Sequence, residues 1–148
     1  MNITKKNMVY KNIFIDTNIL VDVFAKREPF IDNSLKIYNF GVTNKIKLFT
    51  SSNTITTLHY ILRKTISEEK TRTALEHVIE YFSIIPVDVN IIQKSLKSNH
   101  KDFEDAIQIT AAESINDMFC IVTRDLKDYK FAQINVFTPD EFLNKINS

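Results

Sequence analysis

Glycine is almost missing from this chain: Gly41 is the only one in 148 residues. P-loop and dinucleotide-binding turns need several glycines, because their backbone amides approach phosphate where a Cβ would collide, so both are excluded. Cysteine is equally scarce. Cys120 stands alone inside the apolar run Met118 to Val122, so it has no intrachain disulfide partner and reads as a core residue in a reducing cytoplasm. No apolar stretch approaches the roughly 20 residues that span a bilayer, and Met1 to Lys11 is polar and basic without an apolar signal core. The expectation is a soluble, cytoplasmic protein with no membrane partner. An excess of charge is missing too: 19 Lys and Arg stand against 18 Asp and Glu, a formal net charge of +1 that argues against a general polyanion coat. Local basic points remain at Lys26-Arg27, Arg63-Lys64, Lys70 with Arg72, and Arg124 with Lys127 and Lys130. Those beside strand ends are the better phosphate contacts.

What is present suits one globular domain over residues 1–148: 44% hydrophobic content and eleven Phe. Short β-branched runs alternate with helical periodicities, the pattern of a parallel sheet covered by helices on both faces, so the fold class is α/β. Strands are expected at Asn12 to Ile15, Lys47 to Ser51, Phe82 to Val87, Phe119 to Thr123 and Asn135 to Phe137, with Pro86 marking an edge strand. Between them fall helices from about Asn18 to Ala25, from Asp32 with a stripe of Leu35, Ile37, Tyr38 and Val42, and from Ser52 to Lys64. Others start at Ser67, at Asp88 or Asn90, and at Phe103, the last reaching Asn116. Thr138-Pro139-Asp140-Glu141 opens a final helix with a capping box.

Three separated acidic points carry the chemistry. Asp16 ends the run Ile13-Phe14-Ile15, Asp102, Glu104 and Asp105 cluster before Ala106-Ile107, and Asp125 follows Ile121-Val122-Thr123-Arg124. Two of these positions follow buried strands, and ligands of open α/β sheets bind beyond the strands' carboxyl ends. Asp16 and Asp102 also suit plain helix capping, with Glu104 and Asp105 favouring the positive end of a helix. If the acids converge, two carboxylates about 4 Å apart repel by roughly 4 kcal/mol at an effective dielectric near 20, which demands protons or a cation. His59, His77 and His100 share no ligand-like spacing, so the donor set is oxygen and suits Mg²⁺ or Mn²⁺.

Ile13 to Asn18, Asp102 to Ala112 and Val122 to Tyr129, in that order, resemble the PIN domain, a group of metal-dependent ribonucleases that includes toxins of bacterial toxin and antitoxin pairs. The version with Asp-Phe-Glu-Asp-Ala and a Thr-Arg-Asp turn is most similar, over a core of about 11–143. The resemblance implies a three-layer fold around a parallel sheet of about five strands in order 3-2-1-4-5, with a crevice between the strands ending at Asp16 and Thr123. It makes Asp16, Asp105 and Asp125 the metal-holding acids and Asp102 a ligand or water-positioning neighbour. Glu104 and Asp128 are secondary candidates, Asn18 and Thr123 would orient ligands or a phosphate oxygen, and Arg124 would meet the substrate backbone. The implied activity is endonucleolytic RNA hydrolysis with Mg²⁺ or Mn²⁺. The implied partners are RNA, an antitoxin protein and, on the same family analogy, a second copy of the chain.

One departure stands out. Many PIN domains carry a glutamate on the helix after strand two, and alignment on Ser51-Ser52 puts Thr57 there, leaving Asp102 as the expected compensating acid. This motivates a rival reading as an RNA-binding or assembly module with weak or no turnover. An aspartate-nucleophile phosphatase ranks lower, because Asn18 replaces the second aspartate that such enzymes use as general acid.

Overall fold

Strand β1, Asn12–Ile15, is buried along its whole length, which a strand achieves only with helices on both faces of its sheet. The computed structural model describes residues 11–147, so the expectation that the basic start lacks a signal core lies largely outside the described residues. β1 pairs in parallel with β2, Lys47–Ser51, on one side and with β4, Met118–Val122, on the other. β3, Phe82–Ile85, and β5, Asn135–Phe137, complete a five-stranded parallel sheet in order β3-β2-β1-β4-β5. The fold class and strand order are as expected, and the Pro86 signal is correct: β3 is an edge.

Among the described residues seven helices cover the sheet: α1 Thr17–Phe24, α2 Ile31–Val42, α3 Ser52–Leu62, α4 Glu68–Tyr81, α5 Val89–Leu96, α6 Phe103–Glu113 and α7 Pro139–Asn147. The alternation of β1 divides the core. Ile13 and Ile15 pack with Ile19, Leu20, Ile37, Leu58, Val78 and Phe142 on one face, while Phe14 packs with Ile91, Ile107, Ile109 and Ala111 on the other. Burying such side chains contributes about 1.5 to 3 kcal/mol each. Local signals set the helix starts. Ser67, Asp88 and Asp102 cap α4, α5 and α6 through their side chains. At α7 the Thr138 Oγ1 accepts from the Glu141 amide at 3.2 Å and Glu141 Oε1 accepts from the Thr138 amide at 2.9 Å.

Helix α2 differs from expectation. It starts at Ile31, so Asp32 sits in its first turn rather than capping it, and Leu35 is 38% exposed. The buried stripe is Ser34, Ile37 and Gly41. The reason is close approach: a Cβ on Gly41 would run into the Leu48 side chain of β2, so the helix seats its glycine against the sheet. Phe103 is 48% exposed at the first turn of α6, although Ala106 to Ile109 behind it are buried. No helix among the described residues is long and apolar enough to cross a membrane, and Cys120 is a fully buried free thiol.

Candidate active site

Asp16 is held by the strand that precedes it. Its amide donates to the Val122 carbonyl at 3.0 Å, extending the β1–β4 pairing past the end of β1. The backbone stays extended (φ −63°, ψ 146°) and the side chain makes no capping bond to α1, so the simple cap reading of Asp16 fails. Instead, Oδ1 accepts from Gln108 Nε2 and Oδ2 from Thr123 Oγ1, both at 2.8 Å. The residue is 3% exposed. Burial pushes its carboxyl above the usual range, opposed by hydrogen bonds from Gln108, Thr123 and Tyr129.

Gln108 reaches Asp16 from α6, and a buried ladder of hydroxyls holds its amide. Its Oε1 accepts from Thr17 Oγ1 at 3.3 Å and Thr54 Oγ1 at 3.4 Å, leaving Nε2 to serve Asp16 and, at 3.1 Å, the Tyr129 hydroxyl. That hydroxyl donates onward to Asp105 Oδ1 at 3.4 Å. Gln108 and Tyr129 therefore tie Asp16 to Asp105, and neither was singled out from sequence. The signal was there for Gln108: a lone amide inside Ala106-Ile107-Gln108-Ile109, three residues after Asp105 and so on the same helix face.

Asp105 is the shared member of the site. Its pKa is pushed up to about 7, first by burial and then by the charges of Asp16, Asp102 and Asp128. For Asp102 the cap reading is correct, since its Oδ1 accepts from the Asp105 amide at 3.0 Å. After β4, Thr123 Oγ1 accepts from the Asp125 amide at 3.1 Å, and a 3₁₀ turn follows at Leu126–Tyr129. Residues three apart eclipse in such a turn, which sets Asp128 beside Asp125. One carboxylate oxygen each from Asp105, Asp125 and Asp128 lies within 4.8 Å of the other two. A hydrogen bond shared with Asp125, then burial and charge from Asp125 and Asp102, raise the Asp128 pKa. Asp105 and Asp125 thus converge as expected, Asp128 joins them as a full member, and Asp16 is coupled to them through Asp105.

Asp105 also lines a cleft of about 80 Å³ with Asp16, Asn18, Thr57, Glu104 and Gln108, enough for a cation and a water or two. Across it, Thr57 Oγ1 donates to Glu104 Oε1 at 3.3 Å. The acid opposite Thr57 is therefore Glu104, while Asp102, the expected compensating acid, caps α6 through Oδ1 with its charge felt at Asp105 and Asp128. Arg124 also needs correction: it turns inward, making a bidentate pair with the fully buried Asp22 at 2.8 and 3.1 Å under the Phe30 ring. Its Nε and one terminal nitrogen are engaged by Asp22, and the side chain is 27% exposed. The histidines stay out of the acid group, with His59 paired to Glu68 at 2.8 Å and His77 stacked on Tyr81.

A family model described as PIN domain matches residues 12–127. Ribonuclease VapC1 of Aquifex aeolicus (strain VF5) is 30% identical over 143 residues, covering 93% of this chain and 97% of that protein. Among solved structures, a toxin–antitoxin complex from Klebsiella pneumoniae superposes with a TM-score of 0.62 at 26% identity, covering 86% of this chain and 97% of the other. DNA-bound VapBC from Salmonella typhimurium gives 0.64 at 16% identity, covering 87% and 98%, a likeness of fold alone.

Proposed function

Because the chain belongs to the PIN domain family, we propose that it is an endoribonuclease that hydrolyses RNA phosphodiester bonds with Mg²⁺ or Mn²⁺, acting as the toxin of a toxin and antitoxin pair. The observation that carries this reading is the meeting of Asp105, Asp125 and Asp128 within 4.8 Å, beside a buried Asp16 that has only neutral hydrogen-bond donors. A group so placed needs protons or a cation, and all-oxygen donors suit a hard divalent ion. Asp105, Asp125 and Asp128 would hold it, with Asp16 at their flank. When bound, such an ion supplies Lewis acidity towards a phosphoryl oxygen and lowers the pKa of water.

The chain's own contribution is positioning. One hydroxyl, Thr123 Oγ1, fixes both the Asp16 carboxylate and the Asp125 amide. Gln108 and Tyr129 set Asp16 against Asp105, whose pKa burial and the neighbouring acids push up to about 7. Asn18 lines the cleft with an amide that can donate to a phosphate oxygen, and Glu104, an acceptor only, can take a ribose hydroxyl. Single-stranded or loop RNA is the substrate form, since its backbone is open to such a cleft.

The relative named a ribonuclease supports the activity, and the likeness to toxin–antitoxin complexes supports an antitoxin partner. A homodimer is a further proposal, read by size-exclusion chromatography. The rival reading, an RNA-binding module with weak turnover, is favoured by Thr57 and by the near-neutral net charge of +1. The test is cleavage of a structured RNA with Mn²⁺ by wild type and Asp105→Asn. Loss of a cation ligand is expected to slow cleavage by at least about 10³-fold, and equal cleavage by both proteins removes the site assignment. Absence of cleavage by wild type, with RNA still bound, selects the rival.

A further inference from the structure

An acid-rich site repels the polyanion it is meant to cut, so the strand must be held from somewhere close by. Lys101, Lys127, Lys130 and Phe131 line a shallow cleft together with Asp128, a member of the carboxylate group. All three lysines are exposed, and among the described residues none of them takes part in a salt bridge. In a chain of net charge +1 this is a local concentration of positive charge. Because Asp128 belongs to both, the cleft adjoins the carboxylate group. Phe131 is 50% exposed, with the Lys130 Nζ 5.0 Å over its ring and the His100 ring 6.3 Å away. Ammonium groups without a carboxylate partner beside a half-exposed aromatic ring are the two elements with which proteins hold single strands: cations for the phosphates and a ring for a base.

We propose that this cleft is the subsite for the single-stranded RNA next to the scissile phosphate, with Lys101, Lys127 and Lys130 on consecutive backbone phosphates and Phe131 stacked on a base. The subsite rests on the nuclease reading for its relation to the cut, but not for binding itself. Asp128 stands between the two regions, so a strand lying over the lysines is led to the carboxylates.

The experiment is equilibrium binding of the full chain to a fluorescein-labelled 12-nucleotide single-stranded RNA by anisotropy. No divalent ion is added, so nothing is cut, and KCl is varied. Lys127→Ala/Lys130→Ala is expected to bind about tenfold more weakly or worse. The slope of log K against log salt should be shallower by about 1.4, because each lost phosphate contact to a single strand removes about 0.7. Phe131→Ala is expected to lose about fivefold or more in affinity with the slope unchanged. Lys64→Ala/Lys70→Ala, at basic points near the other end of the sheet order, should bind as wild type does. Wild-type affinity and slope in the lysine and phenylalanine variants would overturn the subsite, as would failure of the wild type to bind. Cleavage with Mn²⁺ is measured alongside. Weakened binding in the variants of a protein that cuts nothing would sink the nuclease reading and leave the subsite standing, whereas intact binding in variants of an active enzyme would do the reverse.

Discussion

Asp16 and Asp22 stand six residues apart at the start and within α1, and both are buried, at 3% and 0% exposure. Burial pushes both carboxyls upward. The difference lies in what answers it. Asp22 receives a bidentate guanidinium from Arg124, whereas Asp16 receives an amide from Gln108 and a hydroxyl from Thr123. Adjacent residues of one turn, Thr123 and Arg124, thus serve two buried acids in opposite ways. At Asp22 the charge is neutralised within the fold and the pair is structural. At Asp16 the carboxylate is oriented but not neutralised, and further carboxylates stand beside it. A buried acid is a functional candidate when its partners fix its direction and leave its charge unmet.

Removing the cation of the structural pair should give the largest effect of this comparison. Arg124→Met leaves Asp22 buried and unpaired, and breaking such a pair is expected to cost about 3 kcal/mol of stability, read by urea unfolding. A loss below about 1 kcal/mol would mean that Asp22 is reached by water and that the contrast with Asp16 is not one of charge compensation.

That contrast also separates what was legible in the sequence from what was not. The strands were legible because both faces of the sheet are covered, so β1 and β4 read as short, nearly continuous apolar runs; Asp88, Ser67 and the Thr138–Glu141 box announced helix starts by local chemistry. Asp105 at a packed boundary was legible from the apolar residues after it. Long-range pairing was not. Nothing local to Arg124 tells that it turns back 102 residues to Asp22, or that Thr57 meets Glu104 across 47 residues. Asp128 became a full member of the acid group because a 3₁₀ turn eclipses it with Asp125, and a four-residue turn leaves little periodicity to read. The face of α2 was misread because hydrophobicity marked Leu35, while the close approach at Gly41 decided the rotation.

The uncompensated side has its own signature in pH. The Asp105 pKa is raised in the folded state to about 7 from 3.8. Protonation therefore favours the fold: the stabilising contribution is fully present below about pH 4 and is lost as pH rises through about 7. Asp16 shifts in the same direction. Without divalent ions, wild-type stability should fall between pH 5 and pH 8, and Asp105→Asn should be the more stable protein at pH 8 by about 1 to 2 kcal/mol, a figure reduced for the partial exposure of Asp105. Adding Mn²⁺ should restore the wild type at pH 8 and do little for the variant. A wild-type stability flat over this range would place Asp105 in ordinary solvent and remove the difference from Asp22.

The smallest effect belongs to Thr57, where the family resemblance leads one to expect an acid. If Thr57 marks a missing acid, Thr57→Glu should revive a weak enzyme by tenfold or more. The geometry argues otherwise, because Glu104 Oε1 already stands 3.3 Å from the Thr57 hydroxyl, on the wall of the same cleft as Asp16 and Asp105. The cleft therefore has a carboxylate opposite Thr57, carried by α6 rather than by α3. An added glutamate there meets Glu104 at close range, and like charges repel, so its charge brings no new coordination and some cost. The expected change in Mn²⁺-dependent cleavage is less than about threefold, under 1 kcal/mol of barrier. Glu104→Gln in the wild-type background should reduce cleavage, and the same change alongside Thr57→Glu should reduce it less, because either residue can then supply the acid. Additive effects of the two substitutions would separate Glu104 from the carboxylate role and leave Thr57 as a true gap.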